Sequence, residues 1–303
     1  MLEGPKTCRS PLNALREAQV PDSVVIELER SRRVLEASLS DEATDTLTEN
    51  LVELRMLGAD AHLLAAIVQR LSLLAPRLTG PGGLTAWLTA VREVAQQARL
   101  VHLLRALFDV APALLAVEQG LATRRPFISN LGLHLPEAGR ALRGPVARQW
   151  YDAAAAHAAA HLRHSTHRFE RGSLKPIQMA LVGVLEDARI ELVAIAALPG
   201  LRRLWLGFHH AEPAHGNSFV VLMLRLARCL LDPAHVDPHP WIVKARRLFF
   251  EATDGGRAAG LLTPAVLRDM ASRLGNDIGQ MRLQFNYREY VVEPAYRDNN
   301  ALI

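Results

Sequence analysis

Apolar residues recur at intervals of three and four along most of this chain, the spacing that gathers them on one face of an α-helix. The pattern predicts helices over 22–38, 41–57, 60–75, 84–108 and 111–121, then over 146–169, 176–198, 218–231, 240–252 and 264–281. Local signals mark several ends. Pro21-Asp22 opens the first helix, Gly58 stops the second, Pro76 stops the third, and Pro199-Gly200 ends the long helix that starts near Pro176. Between 123 and 145 the period is lost among Pro126, Gly132, Pro136, Gly139, Gly144 and Pro145, and this stretch reads as a junction. The segment Phe285 to Tyr296 holds three of the four tyrosines and reads as extended.

The expectation is an all-α, multi-helix protein of two helical lobes with little or no β-sheet. A leader covers 1–20, a first lobe 21–122, the junction 123–145 and a second helical domain 146–303. Composition agrees with helices, because half of the 303 residues are hydrophobic while only 5% are aromatic. A chain of this length sits near the size at which one core splits in two. Its 22% of charged residues, interspersed among apolar ones, excludes extensive disorder.

Charge and cysteines narrow the partners. Lys+Arg 35 against Asp+Glu 31 leaves a net +4, and the pairs Arg32-Arg33, Arg124-Arg125, Arg202-Arg203 and Arg246-Arg247 are scattered without interleaved aromatics, so no nucleic-acid groove is expected. Cys8 and Cys229 make neither a disulfide framework nor a C-x-x-C site, which fits a reducing cytoplasm. The most apolar stretch, Met179 to Leu198, is broken by Glu186, Asp187, Arg189 and Glu191, so no membrane span is expected. Phosphate-binding glycine loops, a G-x-S-x-G elbow and H-E-x-x-H are all missing, which removes the obvious catalytic classes.

Two adjacent helices carry the candidate chemistry. His157, His161, His164 and His167 lie at about 0°, 40°, 340° and 280° around one helix, a single face. Imidazoles at i and i+4 can converge on one ion, and His157-Ala-Ala-Ala-His161 has that spacing. Ala158 stands where zinc peptidases place the glutamate that activates water, so their usual base is missing. The next helix carries Leu185-Glu186-Asp187-Ala188-Arg189-Ile190-Glu191 among apolar flanks. Glu186 and Arg189 can pair within the helix, whereas Asp187 and Glu191 share a face and need partners elsewhere. Two readings follow: a zinc site of His157 and His161 completed by Glu186 or Glu191, or a metal-free polar network that fixes the imidazoles. Arg202, Arg203, Trp205 and Trp241 are interaction candidates, or else packing anchors.

Taken together, His157-Ala-Ala-Ala-His161, Leu174-Lys175-Pro176 with Gln178, Leu185 to Glu191, Pro199 to Trp205 and Tyr296-Arg297-Asp298-Asn299-Asn300 resemble the nitric oxide reductase activation protein family NorD. The rubisco-activation proteins CbbO are similar, and a related Leu-Glu-Asp-Ala-Arg segment occurs in cobaltochelatase subunit CobT. The resemblance covers about 150–303. It implies a helical region that precedes a von Willebrand factor A domain with a Mg²⁺-binding D-x-S-x-S motif, which this chain lacks, so the stop at Ile303 reads as an excised part or a split or truncated gene. It further implies a non-catalytic adaptor, without a cofactor, that works with a hexameric MoxR-type AAA+ ATPase on a client metalloenzyme or rubisco. The alternatives are a metal-dependent hydrolase or metal-binding domain built on His157 and His161, and a purely structural scaffold.

Overall fold

The computed structural model describes residues 15–17, 19–75, 83–117, 125–136, 144–165, 169–288 and 290–300. They form two compact units, Met1–Leu100 with Leu142–Arg148, and Val101–Ala141 with Gln149–Ile303. The division therefore falls inside two helices and not at the expected junction, because a continuous helix shows no break in period where it passes from one core to another.

In the first unit, helices α1 (Asp22–Ser38), α2 (Asp41–Met56) and α3 (Ala61–Leu74) precede the start of α4 (Gly83–Phe108). Ser40 caps α2 by accepting from the Ala43 N–H at 3.2 Å, and Asp60 caps α3 by accepting from Leu63 N–H at 2.8 Å. Gly58, at φ +96°, provides the left-handed turn between them. The periodic positions meet where the sequence pattern places them: Val24, Leu28, Leu35, Leu47, Leu51, Leu54, Leu64, Val68 and Leu71 form one buried core.

Among the described residues the second unit is mainly helical, as expected, with one small three-stranded sheet. The helix expected over 111–121 is instead a strand, β1 (Leu114–Val117), as far as it is described, and the junction holds β2 (Phe127–Ser129) and β3 (Gly132–Pro136). Their order is β1-β3-β2, with β1 parallel and β2 antiparallel to β3. Leu-Leu-Ala-Val is a short apolar run without a period, which helix and strand share. Gly132 is required here, since at φ +145° a Cβ would come within 2.2 Å of the Ala113 carbonyl oxygen.

Helices α5 (Gly144–His164), α6 (Pro176–Ala197), α7 (Gly200–Leu206), α8 (Phe219–Leu231), α9 (Pro240–Ala252) and α10 (Pro264–Gln280) complete the unit. Helix α5 stops at His164, short of the expected Phe169, and α7 occupies a segment for which no helix was expected. Proline begins α6, α9 and α10, where its absent N–H leaves no bond unmade. The described part of 285–296 runs irregularly through turns, outside any sheet.

Helix α6 is the centre of this unit. It is buried almost all round, packs on α8 and α10, and contributes Leu181, Val182, Val184, Leu185 and Ala188 to a core shared with Leu222, Leu226, Ile242, Phe249, Leu267 and Leu274. A helix buried on every side has nowhere to solvate its charges. The acids and arginine of α6 must therefore find partners in the protein.

Candidate functional site

The α6 charges converge with α5 and the C-terminal segment on one buried polar cluster. On α5, Ala153 to Ala156 and Ala158 to Ala160 are fully buried. These small side chains leave only His157 and His161 to project polar groups from that stretch, and both are buried as well. Trp205 of α7 fixes α5 by donating its indole N–H to the Ala153 carbonyl at 3.1 Å.

Around each imidazole the contacts divide by ring nitrogen. His157 Nδ1 lies 3.0 Å from Glu191 Oε1, without the alignment of a hydrogen bond, while its Nε2 lies 3.7 Å from both Asp187 Oδ1 and Asp298 Oδ1. His161 Nδ1 is 2.9 Å from Ser165 Oγ, whose hydroxyl donates to Glu186 Oε1 at 2.7 Å. Its Nε2 faces Asp187 Oδ1 at 3.2 Å and Asp298 Oδ1 at 3.6 Å. The two rings meet edge to face with centroids 4.8 Å apart.

Outside these four groups sits a shell of fixed charges. The intrahelical pair expected from spacing is present, with Arg189 donating from Nε and Nη2 to the two oxygens of Glu186, each at 2.6 Å. Arg297 forks onto Glu191, from Nε to Oε1 at 3.1 Å and from Nη2 to Oε2 at 2.6 Å, and its Nη1 lies 3.4 Å from Asp187 Oδ2. Tyr296 donates its hydroxyl to Glu191 Oε1 at 2.8 Å, and His209 Nε2 is 3.1 Å from the same hydroxyl. The backbone N–H of Asn299 donates to the Pro126 carbonyl at 3.0 Å, so the residue just before β2 anchors the segment that carries Asp298.

The electrostatics follow from burial set against charge. Burial alone would push the Glu191 carboxyl up, but Arg297 and His157 outweigh it and hold the carboxyl well below the usual range. Asp298 is lowered in the same way, with burial opposed by the charge of His161 and the contacts of His157. Burial lowers His157, yet the surrounding carboxylates dominate and raise it to about 9. At His209 burial together with Arg297 outweighs the charge of Glu191 and depresses the ring to about 3. Its ring is therefore neutral, and its Nε2–H donates to Tyr296.

The predicted site residues divide accordingly. His157 and His161 do face one point, but their partners there are Asp187 and Asp298. Glu186 and Glu191, the carboxylates expected to complete a zinc site, are engaged by Arg189 and Arg297 and support the cluster from outside. A step of one residue turns the side chain by about 100°, enough to exchange Glu186 for Asp187 on the inner face. Asp298 was missed because it comes from an irregular segment far along the chain. Its signals were the density of polar groups in Tyr-Arg-Asp-Asn-Asn and the place of that stretch among the NorD-like motifs.

Two of the interaction candidates are corrected. Trp205 and Trp241 are buried, and Trp241 donates its N–H to the Leu274 carbonyl at 3.1 Å, so both are packing anchors closed to a partner. Arg202 donates to the Leu231 carbonyl at 2.6 Å, at the end of α8, and of the four only Arg203 is exposed. Among the other histidines, His164 is half-buried and His167 lies outside the described residues.

A second grouping brings donors of Cys229, His235 and Asp237 within 4.8 Å of one another. Both Asp237 oxygens accept from Arg225, at 2.6 and 2.7 Å, and burial pushes the Cys229 thiol up to about 12. That arrangement is a buried ion pair beside an inert thiol.

Comparison of the chain with protein-family models, with curated proteins and with solved structures finds no match. Among the described residues, no helix is long and apolar enough to cross a membrane.

Proposed function

We propose that this chain is a cytoplasmic, non-catalytic adaptor that works with a MoxR-type AAA+ ATPase to activate or mature a client enzyme, such as nitric oxide reductase or rubisco. The reading rests on the NorD- and CbbO-like motifs. What supports it is that three of them, at 157–161, 185–191 and 296–300, meet in one buried cluster although the last lies over a hundred residues beyond the other two. Segments that share a core are constrained together, so their joint occurrence reflects one structural unit. An adaptor acts by binding differently to different states of its partner and requires no reacting group.

The hydrolase alternative needs a substrate and a water to reach the imidazoles. His157 is 0% and His161 1% exposed, with Asp187 at 0% and Asp298 at 1%, burial that favours the adaptor reading. Ala158, in the position of a peptidase's base, is also fully buried.

The test is co-elution of the full chain with a purified MoxR-type ATPase from the same genome, in ATP, ADP and nucleotide-free states, with the ATP hydrolysis rate read alongside. Co-elution in at least one state with a changed hydrolysis rate is expected. Absence of binding in all three states, with no change in rate, overturns the reading.

A further inference from the structure

The four groups at the centre of the cluster turn two imidazole nitrogens and two carboxylate oxygens towards one point. Ser165 donates its hydroxyl proton to Glu186, so its oxygen accepts from His161, which places the His161 proton on Nδ1. His161 Nε2 is at hydrogen-bond distance from Asp187 Oδ1, 3.2 Å, and lies 3.6 Å from Asp298 Oδ1. His157 likewise turns Nδ1 towards Glu191 and Nε2 towards the same two oxygens.

A proton is a poor filler for this space. A protonated His157 would aim its Nε2–H at oxygens 3.7 Å away, beyond the roughly 2.7–3.2 Å of an N–H···O bond. His157 Nε2 and Asp298 Oδ1 are buried with no hydrogen-bond partner.

A metal ion fits the same distances. Bonds of about 2.0–2.1 Å give a tetrahedral shell edges of about 3.3–3.4 Å. The four nitrogen-to-oxygen edges here are 3.2, 3.6, 3.7 and 3.7 Å, and all four donor atoms lie within 4.8 Å of one another. The charge fits too. With the imidazoles neutral, as ligands to a metal must be, Glu186, Asp187, Glu191 and Asp298 against Arg189 and Arg297 leave −2, the complement of a divalent ion.

We infer that His157, His161, Asp187 and Asp298 form a closed four-ligand site for a divalent ion of the zinc class. Two imidazoles and two carboxylates suit zinc, and four protein ligands leave no open position, which marks the site as structural. Glu191 on His157 and the Ser165–Glu186–Arg189 relay on His161 orient the ligand rings from behind. Because Asp298 is contributed by the C-terminal segment, the ion fastens that segment to α5 and α6. The inference does not depend on the adaptor reading.

The test uses untagged full chain expressed in zinc-supplemented medium, with metal content by elemental mass spectrometry and folding by far-ultraviolet circular dichroism, beside Asp298→Asn and His161→Ala. Close to one zinc per chain is expected in the parent protein, with at least a fivefold loss in each folded variant. Equal zinc in parent and variants places the metal elsewhere and overturns the assignment. Should the variants fail to fold, parent protein refolded with Co²⁺ decides. Visible bands of four-coordinate cobalt, saturating at one equivalent and erased by Zn²⁺, support the site. Absence of those bands, or of zinc in the parent protein, overturns it.

Discussion

Arg297 gives the sharpest test of how the cluster is held. Its guanidinium is fully buried, binds both oxygens of Glu191 at 3.1 and 2.6 Å, and stands 3.4 Å from Asp187. Replacing it by Met keeps much of the volume but removes the positive charge. Glu191 is then left with Tyr296 and His157, and the cluster's negative excess grows by one. Breaking one side of a buried ion pair costs about 3–5 kcal/mol, because the abandoned charge cannot reach water. Arg297→Lys retains the charge and loses the fork, so it should cost less. Adding Glu191→Gln to Arg297→Met removes the uncompensated carboxylate, and the double variant should fall short of the summed single effects by about 2 kcal/mol. Urea unfolding read by tryptophan fluorescence measures this. With two compact units the transition need not be two-state, so the effect belongs to the transition that Trp205 reports, in contact with Tyr296. A cost below 1 kcal/mol for Arg297→Met, or strict additivity in the double variant, would refute the account of a mutually compensated buried network.

Two further outcomes follow from other parts of the second unit. His209, neutral in the fold with its pKa at about 3 against 6.5 in the open chain, stabilises the protein fully above pH 6.5. That stability is lost as pH falls towards 3, at about 1.4 kcal/mol per unit, hence about 2 kcal/mol by pH 5. Unfolding free energies across pH 5–7 should show this slope and lose it in His209→Asn; an unchanged slope in the variant contradicts the assignment. Gly275→Ala sets two effects against each other. Alanine favours a helix by about 1 kcal/mol, but its Cβ would come within 2.6 Å of Gln178 Cγ, and Gln178 is tied to Lys175 N and Ser272. Overpacking of about 1–3 kcal/mol should win, and a raised melting temperature would show that α6 and α10 are not in close contact there.

The helices were legible because each buries one face and so repeats at 3.6 residues, and because Gly58 and the prolines before α6, α9 and α10 mark their limits. The sheet was not, since Leu114–Val117 is too short to show a period and its pairing with Leu133 and Leu135 is made across the junction. The same distinction runs through the cluster. His157, His161 and the α6 acids sit at helical spacings, so their shared faces could be worked out from residue numbers alone. Which acid turns inward depends on how α6 is rotated against α5, a property of packing. Asp298 and Arg297 have no periodicity to betray them, and their role is set by the hydrogen bond of Asn299 to Pro126 and by contacts across more than a hundred residues.

The most direct measurement of the central claim is X-ray absorption at the zinc edge on the purified full chain. The account predicts four light neighbours, nitrogen and oxygen, at about 2.0–2.1 Å, with outer-shell scattering from two imidazoles. A shell containing sulfur would point to Cys229 instead, and that result, or six oxygen neighbours without imidazole scattering, would contradict the assignment of His157, His161, Asp187 and Asp298.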